Sequence, residues 1–275
     1  MRVGCHVSIS KGIENAPEMA HELGCEVMQI FTRPPVGGSV TPLSAEIIKQ
    51  FKIKNLKLKI YEVYIHAPYF INLASLNNRI RYGSISAIRK ELERGNQLGA
   101  KYVMTHLGSA KEMEEKEAIK KTINELKKVF DGYKGKTKLL IENSAGAGKI
   151  IGDNFAEIGK IFKSLKEYPT MAGICLDTQH SFASGYDWLN NFEKNIKLLD
   201  KHIGIENIKL IHSNDSMTEA GSHKDRHEHI GKGKIGLEGF KKIAQFARKN
   251  NIDMICETDY PGVIKDIEIL KKMKK

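Results

Sequence analysis

Histidine and carboxylate side chains recur at the ends of short apolar segments in this sequence. Six such segments end in one: His66, His106, Glu142, Asp177, His212 and Glu257. Three more, His180, Asp225 and His227, follow soon after two of these segments. Imidazole and carboxylate groups are ligands that zinc, manganese and iron accept, whereas iron–sulfur clusters need thiolates. The nine residues therefore predict a site for divalent metal ions.

The size of this set bears on the number of ions. A divalent ion takes about four to six ligands and a bridging carboxylate serves two ions, so the set suits two or three ions better than one. Any one of these residues alone would as readily be a hydrogen-bonded core group. Gathered together, they would bury like charges at a heavy desolvation cost unless cations neutralised them.

The elements that must position these residues alternate regularly. Apolar β-branched segments at 3–7, 27–31, 63–66, 102–106, 139–142, 173–177, 208–212 and 254–257 predict strands. Amphipathic stretches at 13–23, 45–57, 79–98, 114–130, 155–165, 188–201, 237–249 and 263–273 predict helices. This alternation is typical of an α/β protein with a parallel sheet.

Eight βα units predict a TIM (β/α)8 barrel formed by a single domain, residues 1–275. In such a barrel all strand carboxyl ends meet at one face, which would bring the predicted ligands together. An open doubly wound sheet is the alternative architecture. It is disfavoured because GCHVSISKG, at the first strand, is not a glycine-rich dinucleotide fingerprint.

Composition indicates the cellular compartment, the state of the cysteines and the class of binding partner. The sequence has no apolar run of about 18 residues and no signal-peptide pattern, so we expect a cytoplasmic protein that does not associate with membranes. Its four scattered cysteines are expected to be buried, reduced thiols. A formal net charge of +11 would attract a polyanion such as nucleic acid, although lysine-rich solvated helix faces also account for it.

Several segments of the sequence resemble those of one family. CHVSISKGIENAP, IHAPYFINLAS, LLIENSAGAG, CLDTQHSFASGYD, IHSNDS and DRHEHIGKGKIG occur in the order and at about the spacing found in endonuclease IV, the metal-dependent apurinic/apyrimidinic endonucleases of base-excision repair. The resemblance runs nearly end to end, and LDTQHSFASGYD and DRHEHIGKGKIG are its most specific parts. It implies a DNA repair enzyme that acts on damaged double-stranded DNA with Zn²⁺ cofactors. Mn²⁺ is an alternative at one or more sites, and we expect a monomer.

The resemblance divides the ligands into three sets, of which the first two share Glu142: His66, His106 and Glu142; then Glu142, Asp177, His212 and Glu257; and finally His180, Asp225 and His227. Each set would hold one zinc ion. Glu142 and Glu257 would be the catalytic residues, since they would hold and orient the attacking water. The implied reaction is hydrolysis of the phosphodiester on the 5′ side of an abasic site, with 3′-phosphodiesterase activity as a further expectation.

The segments expected to contact DNA differ in part from the family. The loop FTRPPVGGSVTPLS lacks the tryptophan and most of the basic and polar residues with which the family enters DNA, so Arg33 is the main candidate there. Tyr69 matches a family position that contacts DNA near the lesion. Gln179 stands where the family commonly has cysteine, and we expect it to have little effect.

The remaining histidines are interpreted separately. His6 is interpreted as a satisfied core histidine rather than a supporting group beside the metals. No chemistry is assigned to the other four, which are His21, His202, His223 and His229.

Two other functions stay open at this point. A xylose-isomerase-type barrel acting on a small sugar or sugar phosphate would keep metals, but it usually needs fewer ligands and no DNA groove, so His180 with Asp225 and His227 argues against it. A non-catalytic, metal-containing DNA-binding protein would bind DNA in a salt-dependent way without cutting it. The complete ligand set argues against that function.

Overall fold

The computed structural model describes residues 1–38 and 40–274, and its central feature is a closed barrel. The barrel strands are β1 (Val3–Val7), β2 (Val27–Ile30), β3 (Val63–His66), β4 (Tyr102–Thr105), β5 (Lys138–Glu142), β6 (Met171–Asp177), β7 (Ile208–His212) and β10 (Asp253–Cys256). Each pairs in parallel with its neighbours, in the order β1-β10-β7-β6-β5-β4-β3-β2. The predicted TIM barrel is confirmed. Two short strands, β8 (Asp215–Ser216) and β9 (His227–Glu228), form an antiparallel hairpin between β7 and the next helix.

Helices follow the strands around the barrel. They are α1 (Ala16–Glu22), α2 (Ala45–Lys57), α3 (Asn78–Leu98), α4 (Glu115–Phe130), α5 (Phe155–Lys163), α6 (Thr178–Ala183), α7 (Phe192–His202), α8 (Gly236–Lys249) and α9 (Val263–Met273). Single 3₁₀ turns occur at Ile13–Asn15 and Ile205–Asn207. Most bounds agree with the predicted ranges to within two residues.

Two helices differ from the prediction for local reasons. The helix expected from residue 188 begins at Phe192, because the Asp187 carboxylate accepts hydrogen bonds from the Leu189 and Asn190 amides and folds this stretch into a turn. The short helix α6 was not predicted. It begins where the Asp177 carboxylate caps it by accepting from the His180 amide at 2.7 Å.

The barrel interior is layered. Seven inward-facing side chains form an apolar layer: Val27, Tyr64, Met104, Leu140, Cys175, Leu210 and Ile255. Because side chains alternate between the two faces of a strand, the residue two positions further on also faces inward. In all seven cases that residue is polar: Gln29, His66, His106, Glu142, Asp177, His212 and Glu257. A polar layer therefore lies on the apolar layer at the carboxyl end of the barrel.

Composition also predicted buried, reduced cysteines and no association with membranes. All four cysteines are free, buried thiols, as predicted. Among the described residues, no helix is both long enough and apolar enough to cross a membrane.

One carboxylate crosslinks the seam between the first and last strands. Asp253 in β10 accepts hydrogen bonds from the Arg2 amide at 2.7 Å, the Arg2 Nη2 at 2.7 Å and the Tyr64 hydroxyl at 2.7 Å. Burial raises the pKa of the Asp253 carboxyl, but these donors outweigh it and leave the pKa below its usual value. The ionised form therefore stabilises the folded barrel.

Substitution of Asp253 by Asn is predicted to lower the free energy of unfolding at pH 7 by about 2–4 kcal/mol, because it removes the charge from a set of buried hydrogen bonds. A depressed folded-state pKa gives stability above about pH 4 that is lost as the pH falls through it. The difference between wild type and D253N should therefore shrink in acid. Urea unfolding from pH 7 downward measures it. The exposed Asp131→Asn is the control, and an equal loss in both variants would contradict the assignment.

Candidate metal centre

The carboxyl end of the barrel brings all the predicted ligands into one region. Four are the last residues of their strands: His66, Glu142, Asp177 and His212. His106 and Glu257 lie one residue beyond the ends of β4 and β10. The remaining three come from short elements on this face, His180 from α6, Asp225 from the loop before β9, and His227 from β9 itself.

The potential ligand atoms fall into three groups, and within each group they lie within 4.8 Å of one another: His66, His106 and Glu142; Glu142, Asp177, His212 and Glu257; and Asp177, His180 and His227. The first two groups coincide with the expected sets. The third contains Asp177, with Asp225 beside it: the Asp225 carboxylate lies 3.4 Å from His180 Nε2 and 3.3 Å from His227 Nε2. Metal binding by these groups stays a prediction.

Glu142 lies at the centre of the arrangement and is fully buried. Its Oε1 is 2.8 Å from His212 Nδ1, whereas its Oε2 is 3.2 Å from His66 Nε2 and 3.7 Å from His106 Nε2. The two oxygens thus face different groups. This is the placement that a bridging carboxylate needs.

Three histidines have their orientation fixed by a hydrogen bond that one ring nitrogen donates. His66 Nδ1 donates to the Ala67 carbonyl at 2.6 Å, and His180 Nδ1 donates to the Asn143 carbonyl at 3.0 Å. His212 instead donates from Nε2 to Gln29 Oε1 at 2.7 Å. The other nitrogen of each ring lies beside a carboxylate, where it could ligate a metal ion after giving up its proton.

Gln29 and Asn214 orient ligands and were missed from the sequence. Gln29 also donates to Glu257 Oε1 at 2.6 Å. Asn214 donates to Asp177 Oδ2 at 2.7 Å and to Glu257 Oε2 at 3.1 Å. The available signal for Gln29 was its place two residues after Val27, the spacing that also locates His66 after Tyr64.

His6 differs from its interpretation as a core histidine. It faces the cavity from β1, half-buried, with Nδ1 at 3.0 Å from Gln29 Nε2. Burial lowers the pKa of His6 to about 4, so the ring is neutral at pH 7 and accepts this hydrogen bond.

The pKa values of the clustered side chains are shifted in the directions that place positive charge beside the carboxylates. Burial raises the pKa of Glu142, but His212 and His106 outweigh it and hold the pKa well below its usual value. Burial lowers the pKa of His180, yet Asp177 and Asp225 outweigh it and raise the pKa to about 10. Glu142 thus stays ionised, and positive charge is drawn onto neighbouring histidines such as His180.

Two buried atoms test whether a cation fits. Within the described residues, Glu142 Oε2 and His106 Nδ1 are buried without a hydrogen-bond partner. Because His66 donates from Nδ1, its Nε2 lone pair faces Glu142 Oε2 across 3.2 Å. Two acceptors that face each other at this distance need a proton or a metal ion between them. The donor set and its orientation therefore fit divalent cations of the zinc type.

The ligands open into a cavity of about 1240 Å³. His66, His106, Glu142, His180 and Glu257 lie on its inner surface. Its walls come from the loop after β1, residues 8–11, and from the segment after β10, residues 258–260. A cavity of this size accepts a group much larger than water.

Arg33 is not placed as a free cation for DNA. It is 8% exposed; its Nε donates to Glu91 Oε1 at 2.7 Å and its Nη2 donates to the Ala87 carbonyl at 3.2 Å. Glu91 also accepts from the Thr32 hydroxyl at 2.5 Å. The guanidinium is thus neutralised inside the contact between α3 and the loop after β2. These bonds anchor that loop. Arg33 also lines the cavity, and DNA contact by Arg33 stays a prediction.

Tyr69 and Gln179 complete the predicted positions. Tyr69 is 60% exposed at the cavity, with its ring centroid 5.3 Å from that of Phe31 and 5.7 Å from that of His66. Gln179 is buried and donates to the Lys224 carbonyl at 2.9 Å. Because Lys224 precedes Asp225, this contact links the loop beside the third group to α6. The small effect expected of Gln179 stays a prediction.

A closed barrel of eight parallel strands with a polar layer at its carboxyl end defines the class of the TIM barrels. Accordingly, a family model described as xylose isomerase-like TIM barrel matches residues 17–273. A D-tagatose 3-epimerase-like protein shares the fold, with a TM-score of 0.71 at 21% identity over 99% of this chain and 97% of its own.

Similar proteins identify the family within this class. A probable endonuclease 4 of Nitrosopumilus maritimus is 38% identical over 100% of this chain and 99% of its own length. One of Aquifex aeolicus is 39% identical over 93% and 90%. The crystal structure of endonuclease IV from Thermus thermophilus has a TM-score of 0.86 at 28% identity, covering 99% of this chain and 98% of its own. The chain belongs to the endonuclease IV family of xylose isomerase-like TIM barrels.

Substitution of Gln29 by Leu is predicted to weaken zinc binding about 10–100-fold, because the side chain orients both His212 and Glu257. Competition against a chromogenic chelator measures the affinity. The matched control is Gln50→Leu, which alters an exposed glutamine on α2. An unchanged affinity in Q29L would show that Gln29 does not support the ligands.

Proposed function

We propose that this protein is a DNA repair endonuclease that hydrolyses the phosphodiester on the 5′ side of abasic sites, using three divalent ions, with Zn²⁺ as the cofactor and Mn²⁺ as an alternative. The observation that carries the proposal is the set of three ligand groups sharing buried carboxylates at the base of one cavity. Membership of the endonuclease IV family supplies the substrate class. The same bond chemistry extends the proposal to 3′-phosphodiesterase activity at blocked ends.

The chain's own residues have defined tasks in this reaction. Bound divalent ions would polarise the phosphate and make water a sufficient nucleophile at neutral pH. His66, His106, His180, His212 and His227 would hold the ions together with the four carboxylates. Glu142 would bridge the first two ligand groups. Glu257, fixed by Gln29 and Asn214, would orient the attacking water from the cavity side.

The rim of the cavity supports a sugar–phosphate substrate that is turned out of a duplex. Tyr69 and Tyr260 are 60% and 75% exposed, and both line the cavity. Aromatic rings so placed can stack on bases beside an extruded nucleotide. Burial raises the pKa of Tyr69 to about 12, with the Glu257 carboxylate adding to the shift, so the phenol stays protonated and can donate to a phosphate oxygen.

Positive charge for the DNA backbone would come from groups other than Arg33. Lys11 lines the cavity and is exposed, and Arg226 is exposed beside Asp225. The net charge of +11 adds a long-range attraction for polyanions. A Lys11→Ala variant is therefore a better probe of phosphate binding than a substitution of Arg33, which would release a buried Glu91.

The test is incision of a duplex oligonucleotide with one abasic analogue by metal-loaded protein. We predict a cut 5′ of the lesion, loss of cutting after chelation, and recovery when zinc is restored. Glu142→Gln should abolish cleavage while lowering duplex affinity far less, because the carboxylate bridges metals and does not touch the DNA surface.

An undamaged duplex of the same sequence controls for general nuclease activity. No incision by protein that holds its metals would refute the proposed substrate. It would favour the alternative function, an enzyme that acts on a small sugar or sugar phosphate. Salt-dependent binding without cutting would instead identify a non-catalytic DNA-binding protein.

A further inference from the structure

A buried carboxylate behind the candidate metal centre joins two segments that carry ligands. Asp266, in α9, is 1% exposed. Its Oδ2 accepts from His229 Nδ1 at 2.7 Å and from the Thr258 hydroxyl at 2.6 Å, and its Oδ1 accepts from the Ile230 amide at 3.0 Å. Both oxygens are therefore occupied by donors from other elements.

The donors flank ligands that belong to different groups. Thr258 directly follows Glu257, which belongs to the second group, and His229 lies two residues after His227, which belongs to the third. A displacement of either donor would move the neighbouring ligand through only one or two residues of backbone. Asp266 thus links the β9 segment to the segment after β10.

The β9 segment and the segment after β10 can approach each other closely because residue 262 is a glycine. A Cβ at this position would lie 2.2 Å from His229 Cε1 and 2.4 Å from His229 Nε2. Gly262 has φ −60° and ψ −30°, which any residue adopts, so its conformation does not require glycine. Space for the His229 ring is what the glycine provides.

We propose that Asp266 is a positioning residue that acts through His229 and Thr258 to hold His227 and Glu257 at the separation that the second and third ligand groups need to bind separate ions. The hydrogen bonds of Asp266 described above go to residues beside the ligands, so its effect on them is indirect. The proposal rests on the proposed metal-dependent function, but it is tested by metal binding in the absence of DNA.

A paired substitution at His229 gives the sharpest test. In Asn the side-chain N–H group lies near the position of histidine Nδ1, whereas in Gln it lies near that of Nε2. His229→Asn should therefore keep the bond to Asp266, and His229→Gln should lose it. We expect H229Q, Asp266→Asn and Gly262→Ala to hold their weakest zinc equivalent about 10–100-fold less tightly, and H229N to stay near wild type.

The readouts are zinc per chain after dialysis against a graded chelator, thermal stability, and kcat and KM on the abasic duplex. The kcat of H229Q should fall with little change in KM, because the exposed rim is unaltered. Asp253→Asn is the control for loss of a buried carboxylate far from the metals. It should lower stability and keep the full zinc content.

Outcomes separate this proposal from the proposed function. Equal zinc affinity in H229N and H229Q, wild-type zinc binding in D266N, or no zinc binding by the wild type would overturn the positioning role. Wild-type protein that binds zinc with the expected pattern of variants, yet leaves abasic duplexes intact, would support the positioning role and refute the proposed substrate.

Discussion

Four carboxylates and five histidines meet at one end of this barrel, and most of them are buried. Such a concentration of acceptors is unstable in a low-dielectric interior unless positive charge lies among them. In the protein alone, His180 supplies part of that charge, because Asp177 and Asp225 raise its pKa to about 10. Metal ions would take over this role and leave every imidazole free to act as a ligand.

This constraint explains the surroundings of the site. An apolar layer below the ligands excludes water from the barrel interior, so the polar layer can be neutralised only by partners within it or from the cavity. Gln29, Asn143 and Asn214 supply neutral hydrogen bonds that fix ring tautomers and carboxylate rotamers without adding charge. Asp266 and Gln179 then hold the β8–β9 hairpin, whose predicted ligand His227 lies outside the barrel.

The sequence was sufficient for the barrel and for the convergence of the ligands. Both follow from short-range patterns: strand and helix periods give the βα units, and a parallel barrel collects strand ends such as His66 and Glu142 on one face. The start of α7 depended on the turn that Asp187 forms, and the existence of α6 depended on capping by Asp177; propensity alone indicates neither.

Contacts between residues far apart in the sequence could not be predicted from these short-range patterns. Arg33 is paired with Glu91, 58 residues away, and its basic character gave no sign of this buried ion pair. His229 had no recognisable role because its partner Asp266 is 37 residues further along the chain. By contrast, the two-residue period of β2 places Gln29 beside the predicted ligands. It was missed because it is not ionisable, and only ionisable side chains were candidates for ligands.

Anomalous diffraction at the zinc absorption edge, from crystals of the zinc-loaded protein, tests the metal centre most directly. We predict three anomalous peaks in the cavity, one within each ligand group, with Glu142 lying between the first two. Peaks confined to surface histidines, with none beside Glu142, would contradict the claim that this polar layer exists to hold metal ions.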